Sequence, residues 1–433
     1  MAPFINSILQ MALRYSSKSS DCSHPRIPPT VEVFDPRGDM LLLVGKQRCT
    51  NRSCNGGQNR RPNAICFHVN SAIIAGASPA FGFVLYSPSA VAAKGDDVDW
   101  AVKLPDDDPQ AMKTIINILY GHYPITLSDE HVNLEQLLHI TTLADKYDLV
   151  HLFSEWSARW VRDMECYWVG RKFVRQSIED LESLLWIYWV LGHEPLYTYM
   201  ILQIAFHSEL DAAGKLTDPA EQLCFTNEFH QVPVPPYAPI EIGHSRIEVL
   251  KIIRKDIKET LETHLHGSQN KNWLPCRRMD GGNDWSWRRS ILRAFVKMLE
   301  AEGIWPLPSA YELTASPRSL VEMFRANPSI PSFAHHHDDR YCDPSGTFWE
   351  RIEKLLREVR FTLPAPSAKR LREQAAKSGL ASHFTSMGPK INPDKGDWNI
   401  KEILEFVEFQ GAVTEMERAP SEMGRVFSDK QVH

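Results

Sequence analysis

Short apolar runs in the first third of the chain predict a mixture of strands and helices. Residues 66–69 are rich in β-forming side chains, which predicts a strand. Residues 71–76 are small and mostly apolar, and they predict a short buried helix. Ser78-Pro79 ends that helix, because the residue before a proline is disfavoured in the helical conformation. Further strands are predicted at residues 39–45 and 102–105.

Apolar residues at helical spacing begin at residue 110 and predict a one-sided helix over residues 110–119. Carboxylates placed just before a helix are expected to cap its free backbone N–H groups, and three acids stand there: Asp106, Asp107 and Asp108. The same spacing predicts helices over 134–147 and 149–164, and a helical hairpin over 177–207 that is broken at 192–195.

The second half of the chain predicts helices throughout. Ser245 and Glu248 form a capping-box pattern, so a helix is predicted to begin at Ser245 and to end at Gly267. Strand-like alternation is nearly absent, which predicts an all-helical half. Further helices are predicted over residues 286–302, 317–326 and 346–360.

These elements predict an α+β N-terminal domain, a small mixed sheet with a helical cluster, followed by a mainly α-helical C-terminal region. The proline-rich segment 231–236 is a stiff, extended linker and marks the main boundary. The predicted parts are a disordered tail (1–30), the α+β domain (31–163), further helices (164–230), a helical C-terminal domain (237–363) and a partly disordered extension (364–433).

Composition and charge exclude several classes of protein. The 433 residues are 43% hydrophobic and 24% charged, which is typical of globular chains and not of disordered or fibrous ones. The net charge of −6 provides no overall basic field that could hold nucleic acid. No apolar run approaches the roughly 20 residues that cross a bilayer, so no membrane span is expected.

The cysteine content and the N-terminus bear on the compartment. Eight cysteines in this length are too sparse for a secreted disulfide framework, so an intracellular protein of the cytoplasm or nucleus is expected. Residues 1–20 contain no acid, are rich in serine and place apolar residues at helical spacing, as transit peptides do. The first 20 residues are therefore either a mitochondrial transit peptide or a simple N-terminal tail.

The order of the N-terminal motifs resembles the BTB/POZ domain, as found in fungal BTB proteins. A strand, a short helix, the Ser-Pro break and an aromatic anchor follow one another as at the start of that family's helical layer. The matches span about 115 residues, near the size of one domain. The residues that carry the resemblance are Asp39, Phe67, Asn70, Ser78, Pro79, Phe81, Tyr120, Gly121, Leu143, Ala144, Lys146 and Tyr147.

The resemblance implies a non-catalytic protein–protein interaction module without a cofactor. Such a domain acts by burying apolar surface against a second copy of itself, as a homodimer, or against another protein. Substrate adaptors of cullin-3 ubiquitin ligases are one branch of the family and remain an alternative. That branch has a glutamate shortly after the aromatic anchor, whereas residues 81–86 contain none. Asn70 also stands where the family has a histidine.

A metal-dependent enzyme is the second alternative. The consecutive histidines and acids at 335–339 form the run that is richest in possible metal ligands. A set of ligands suited to zinc would consist of Cys276, His337 and Cys342. Adjacent side chains diverge, so His335 to His337 also fit a polar loop. A second possible set is Cys49, Cys54, Cys66 and His68, although the last two share one face of a strand and are expected to be packing residues.

The remaining motifs give no catalytic assignment. No G-x-S-x-G, H-E-x-x-H or P-loop pattern occurs in the chain, so no catalytic residue and no cofactor are predicted. The insertion 46–63 carries five cations, and no acid occurs from residue 40 to residue 95. This insertion is either a solvated loop or a local basic patch.

Overall fold

The computed structural model describes residues 27–47, 64–86, 100–122, 132–170, 178–211, 214–217, 232–266, 284–326, 351, 360–382 and 397–399. The chain divides into two compact units, neither of which is a continuous segment. The first contains Met1–Lys172, Trp186–Gly192 and Leu371–Ile391, and the second contains Phe173–Leu185, His193–Arg370 and Asn392–His433. The domain limits drawn from the sequence are continuous segments and stay predictions.

A four-stranded mixed sheet forms the β layer of the first unit. Its strands are β1 (Thr30–Val33), β2 (Met40–Val44), β3 (Ile65–Val69) and β4 (Trp100–Leu104), in the order β1-β3-β2-β4. β3 is antiparallel to β2, while β1 is parallel to β3 and β4 is parallel to β2. The three strands predicted from the sequence are confirmed as β2, β3 and β4. β1 was not predicted.

The two central strands are covered on both faces. Every residue of β2 and β3 is buried, which explains why both strands are apolar runs without polar alternation. One face packs as a small cluster of Leu41, Leu43, Ala64 and Cys66, with Val31 and Ala101 at its margin.

The first four helices of the first unit begin within one residue of the predicted starts, whereas the fifth begins eight residues after the predicted start at residue 149. They are α1 (Ser71–Ala77), α2 (Pro79–Tyr86), α3 (Pro109–Leu119), α4 (Leu134–Lys146) and α5 (Ser157–Gly170), with a 3₁₀ turn at Val150–Phe153 before α5. Asn70 accepts hydrogen bonds from the first turn of α1, and Asp108 does so for α3. Asn133 and Gln136 form a reciprocal capping box at the start of α4.

The second unit is mostly helical. Its elements are α6 (Ile178–Leu191), α7 (Glu194–His207), β5 (Glu209–Leu210), β6 (Leu216–Thr217), α8 (Ala238–His266), α9 (Asp284–Ala301), α10 (Pro317–Ala326), β7 (Arg360–Thr362), α11 (Ala365–Ser378) and β8 (Asp397–Asn399), and α6 and α11 also contribute residues to the first unit. The break between α6 and α7 at residues 192–193 confirms the predicted break and the two helices on either side of it. α8, α9 and α10 share one apolar core, in which the rings of Phe295 and Phe324 stack 5.7 Å apart.

Two predictions for the second half were wrong. α8 begins at Ala238, so Ser245 lies inside the helix, because the buried apolar face already starts with Ala238 and Ile242. The half is also not all-helical, since β7 pairs with β8, and the segment before the linker, which was predicted as helices, contains the paired strands β5 and β6. Strands of two or three residues are too short to show an alternating pattern. The predicted helix over 346–360 lies almost entirely outside the described residues, as does the tail beyond residue 399.

A buried arginine ties together three parts of the second unit. Arg246 of α8 is 1% exposed, and its Nε donates to the carbonyl oxygen of Ser208 at 3.1 Å. Its Nη2 lies within 2.9 Å of three further carbonyl oxygens, those of Leu313, Thr314 and Ala315. Burial lowers the pKa of Arg246 to about 10, so the side chain is still a cation at neutral pH.

The C-terminal end of α11 belongs to the first unit. Ser157 Oγ donates to the carbonyl oxygen of Ser378 at 2.5 Å, and Ser378 Oγ donates to that of Leu191 at 2.6 Å. Gly192 lies directly against the backbone of this end: a Cβ there would be 2.1 Å from Ala375 N. The first unit is therefore completed by a segment more than 200 residues away from α5 in the sequence. Among the described helices, none is both long and apolar enough to cross a membrane.

Candidate functional site

Asp39 connects the start of the sheet to both of the short helices. Its Oδ1 accepts a hydrogen bond from the backbone N–H of Ser71 at 2.8 Å, and its Oδ2 accepts one from Ser71 Oγ at 2.7 Å. The serine hydroxyl has a single proton, which goes to Asp39, so the Tyr86 hydroxyl donates to Ser71 Oγ at 2.9 Å. One carboxylate thus holds the first residue of α1 and, through it, the last residue of α2.

Asn70 and Tyr120 connect α1 with the end of α3. The backbone N–H of Asn70 donates to Tyr120 Oη at 2.7 Å. The ring of Tyr120 lies 5.8 Å from that of Phe34, which in turn makes an edge contact with the buried Phe67. Burial raises the pKa of Tyr120, so its hydroxyl stays protonated. The next residue, Gly121, has φ +67° and ends the helix.

Ser78 connects α2 with the end of α4. Its Oγ accepts a hydrogen bond from the backbone N–H of Phe81 at 2.9 Å and donates one to the carbonyl oxygen of Tyr147 at 2.5 Å. Pro79 is the first residue of α2, where its missing N–H costs nothing. The ring of Phe81 stacks on that of Tyr147, with centroids 4.0 Å apart and 12° between planes.

Asp107 binds the end of α4 instead of capping α3. Its carboxylate accepts a hydrogen bond from the Tyr147 hydroxyl and another from Lys146 Nζ at 2.5 Å. Burial and the neighbouring carboxylate raise the pKa of Tyr147. The predicted capping role is correct for Asp108. It is wrong for Asp107, which is buried and bound by the end of α4. Asp106 forms an ion pair with Lys46 at 3.0 Å.

The residues that carry the family resemblance thus stabilise the fold of the first unit. Leu143 and Ala144, the remaining two, are buried in α4. The structure brings Asp39, Asn70 and Tyr120 together around α1, and Ser78, Phe81, Lys146 and Tyr147 together around α2 and α4. Most of their functional groups are occupied by other residues of the unit and are not available for contacts with other molecules.

The helices α1 and α2 have an exposed apolar surface. Four large side chains of these helices are exposed, and together we call them the α1–α2 surface: Ile73, Phe83, Val84 and Tyr86. Phe83 is 77% exposed, more than any other large apolar side chain of the described residues. Large exposed apolar groups on neighbouring elements are typical of protein–protein contacts.

The charge pattern of the sequence around this surface is unusual. Residues 62–93 contain no aspartate, glutamate, lysine or arginine. Charged residues are depleted at the centre of protein interfaces, where aromatic residues are enriched. The sequence alone did not identify Phe83 or Val84 as exposed, but the charge-free run was the signal that could have found them.

The described residues give no support to a metal or nucleophilic site. Cys66 is buried, and burial raises the pKa of its thiol to about 12, so it is protonated and unreactive at neutral pH. Within the described ranges, no three or more His, Cys, Asp or Glu side chains are grouped as metal ligands would be. The other candidate ligands lie outside the described residues: Cys49, Cys54, Cys276, His335, His337 and Cys342. Most of the basic insertion, residues 48–63, lies outside them too.

The chain was compared with protein-family models, with curated proteins and with solved structures, and none of the three comparisons gave a match.

Proposed function

We propose that residues 31–163 form a BTB/POZ-type domain that acts as a protein–protein interaction module, by homodimerisation or by binding another protein through the α1–α2 surface. The observation that carries this proposal is the exposure of uncharged, apolar side chains on two neighbouring helices. The order of strands and helices and the hydrogen bonds among the motif residues support the family assignment.

Burial of these side chains contributes a driving force for association. Covering one aromatic or aliphatic side chain of this size stabilises a complex by about 1.5–3 kcal/mol before the entropic costs of binding. A stable interface covers roughly 800 Å² on each partner, which is more than four side chains supply. The α1–α2 surface is therefore the centre of the proposed interface, with polar residues around it.

The test is self-association and partner capture by the full chain with Phe83→Asp. A carboxylate at the centre of an apolar interface loses its hydration without gaining a partner, so we expect at least a tenfold loss of affinity. Sedimentation equilibrium measures dimerisation, and pull-down followed by mass spectrometry measures capture of a defined partner.

Ile240→Asp is the matched control, because Ile240 is also an exposed apolar residue, 61% exposed, on a helix of the second unit. This variant should behave as wild type in both assays. If Phe83→Asp associates and captures partners as wild type does, or if Ile240→Asp loses as much, the α1–α2 surface is not the interface. Purified cullin-3 serves as a defined negative probe, because residues 81–86 lack the adaptor glutamate.

A further inference from the structure

The second unit contains a cleft that the proposed interaction module does not use. It encloses about 400 Å³ between α7, α8, Tyr311 and the segment from β7 to Pro364. Sites for small molecules in proteins are typically about 300–1,000 Å³ and combine apolar walls with a few polar groups. At about 400 Å³ the cleft lies near the lower end of that range, which suits a small organic molecule.

The lining of the cleft combines polar and apolar side chains. Glu241, Ser245 and Glu248 follow one another at helical spacing, so they lie on the same face of α8 and line the cleft together. Ile201 and Phe361 belong to the apolar side chains that line it from other elements. A ligand that fills the cleft must therefore be amphipathic.

Glu241 gives the cleft a buried carboxylate without a countercharge. Tyr197 Oη donates to its Oε2 at 2.7 Å, and Ser367 Oγ donates to its Oε1 at 2.5 Å. Both donors are neutral, and the described residues that line the cleft include no lysine or arginine, while His244 of the same helix is the basic side chain among them. Each carboxylate oxygen accepts two hydrogen bonds, so each can accept one more from a ligand. Burial raises the pKa of Glu241, which is the consequence of a carboxylate that lacks a nearby cation.

Ser245 adds a second polar group to the lining of the cleft. The residue is only 8% exposed and lies among the side chains that line the cavity. A serine hydroxyl on the wall of a cavity can accept a hydrogen bond from a ligand. It lies one helical turn from Glu241 on the same face.

The rim of the cleft already shows how an ammonium group is held there. Lys251 Nζ lies 2.7 Å from Glu248 Oε1 and 5.6 Å from the ring centroid of Tyr311. A carboxylate and an aromatic face together are the usual partners of an organic cation. Since Lys251 neutralises Glu248, the remaining carboxylate without a countercharge is Glu241.

We infer that this cleft binds a small organic cation, an ammonium group on an apolar body. The ammonium group donates hydrogen bonds to Glu241 and Ser245, and the apolar body packs against Ile201 and Phe361. This inference does not depend on the α1–α2 surface, because all of its residues lie in the second unit.

The test is isothermal titration calorimetry of the full chain with phenethylamine, compared with 2-phenylethanol as its neutral isostere. We expect saturable binding of one phenethylamine per chain and at least tenfold weaker binding of the alcohol, because only the amine provides the countercharge. Absence of amine binding, or equal affinities for the two compounds, overturns the inference. N-acetyl-lysine methylamide presents an ammonium group as a lysine side chain of a polypeptide does. Tighter binding of this compound than of phenethylamine would overturn a small-molecule site, because it would indicate that the cleft binds a lysine of another protein.

Two substitutions locate the site. Glu241→Gln keeps the shape but removes the charge, and we expect it to abolish the preference for the amine. Ser245→Ala removes only a hydroxyl group from the wall of the cleft, so it should fold normally and bind phenethylamine about three- to tenfold more weakly. Ser382→Ala, an exposed serine of the first unit, should leave the affinity unchanged. Wild-type affinity in a folded Ser245→Ala variant contradicts the assignment.

Discussion

Substitution of Gly192 by alanine tests the contact between residue 192 and the C-terminal end of α11. Gly192 has φ +81°, a conformation that costs an L-residue about 1–2 kcal/mol. A Cβ would also lie 2.1 Å from Ala375 N and 2.4 Å from Leu371 O, and both are backbone atoms that cannot rotate away. The end of α11 must therefore move by more than 1 Å, and overpacking of this kind costs about 1–3 kcal/mol or more. The expected loss is about 2–5 kcal/mol of the free energy of unfolding.

Gly214→Ala is the matched control for this prediction. Gly214 has nearly the same conformation, φ +76°, but no atom lies within 4 Å of the Cβ position. It should therefore show only the conformational cost of about 1–2 kcal/mol. Urea unfolding of the full chain, followed by circular dichroism and tryptophan fluorescence, measures both variants. Equal shifts of the unfolding midpoint would show that the close approach of Gly192 to α11 is absent in solution.

Three further predictions concern other residues. Arg246→Met leaves four carbonyl oxygens without this donor and should lower the free energy of unfolding by about 3–5 kcal/mol. Arg254→Met loses one bond, to the carbonyl oxygen of Pro308, and should cost about 1–2 kcal/mol. Equal losses in urea unfolding would contradict the structural role of Arg246. Ser78→Ala removes the cap of α2 and the bond to Tyr147 and should lower the free energy of unfolding by about 1–2 kcal/mol. Ser382→Ala is the control and should change it by nearly zero, and thermal unfolding measures both variants. His207 Nε2 lies 2.6 Å from Arg318 Nη1, so it must be an unprotonated acceptor while Nδ1–H donates to Gln203. Burial lowers the pKa of His207, and so does Arg318, whereas the bond to Gln203 and the charge of Glu322 raise it. Below pH 6.5 the unfolded chain therefore binds the proton more readily than the folded protein does. Stability should fall as the pH decreases from 6.5 to the pKa of His207 in the folded protein. His207→Gln should remove that part of the loss between pH 7.5 and pH 5.5 in urea titrations, and an unchanged pH dependence would contradict the assignment.

Elements that depend on local sequence were predicted well. The helix α3 has a one-sided apolar stripe and a capping acid, and its bounds differ from the prediction by one residue. The Ser-Pro break between α1 and α2 is a constraint on two adjacent residues, so it could be identified without any tertiary information. The strand β2 is apolar along its whole length and β3 is apolar except for His68, because both of their faces are covered.

Features that depend on distant partners were not predicted. Asp107 resembles its neighbours in the sequence, but Lys146 and Tyr147 bind it from 39 and 40 residues away. β1 is an edge strand of four residues, and it pairs only with β3, which lies more than 30 residues further along the chain. The start of α8 was placed too late, because a capping pattern at Ser245 is compatible with a helix interior when the apolar face continues before it.

The candidate sites show the same division. The residues that resemble the BTB/POZ family were found from order and spacing, and their bonds confirm that they lie together in the first unit. The exposure of Phe83 was not predicted, because α2 is apolar on nearly every side and its buried face is set by α1 and α4. The cleft at Glu241 combines residues from four separate segments, which no local pattern could have brought together.

The place of residues 371–391 in the first unit has a consequence for how the protein folds during synthesis. The hydrogen bond from Ser157 to Ser378 can form only after Ser378, which is 221 residues further along the chain, has been synthesised. At about 5–20 residues per second, translation of that length takes roughly 10–45 seconds. For that time the nascent N-terminal unit lacks its last helix, and its apolar surfaces are open to chaperones or to neighbouring nascent chains on the same polysome.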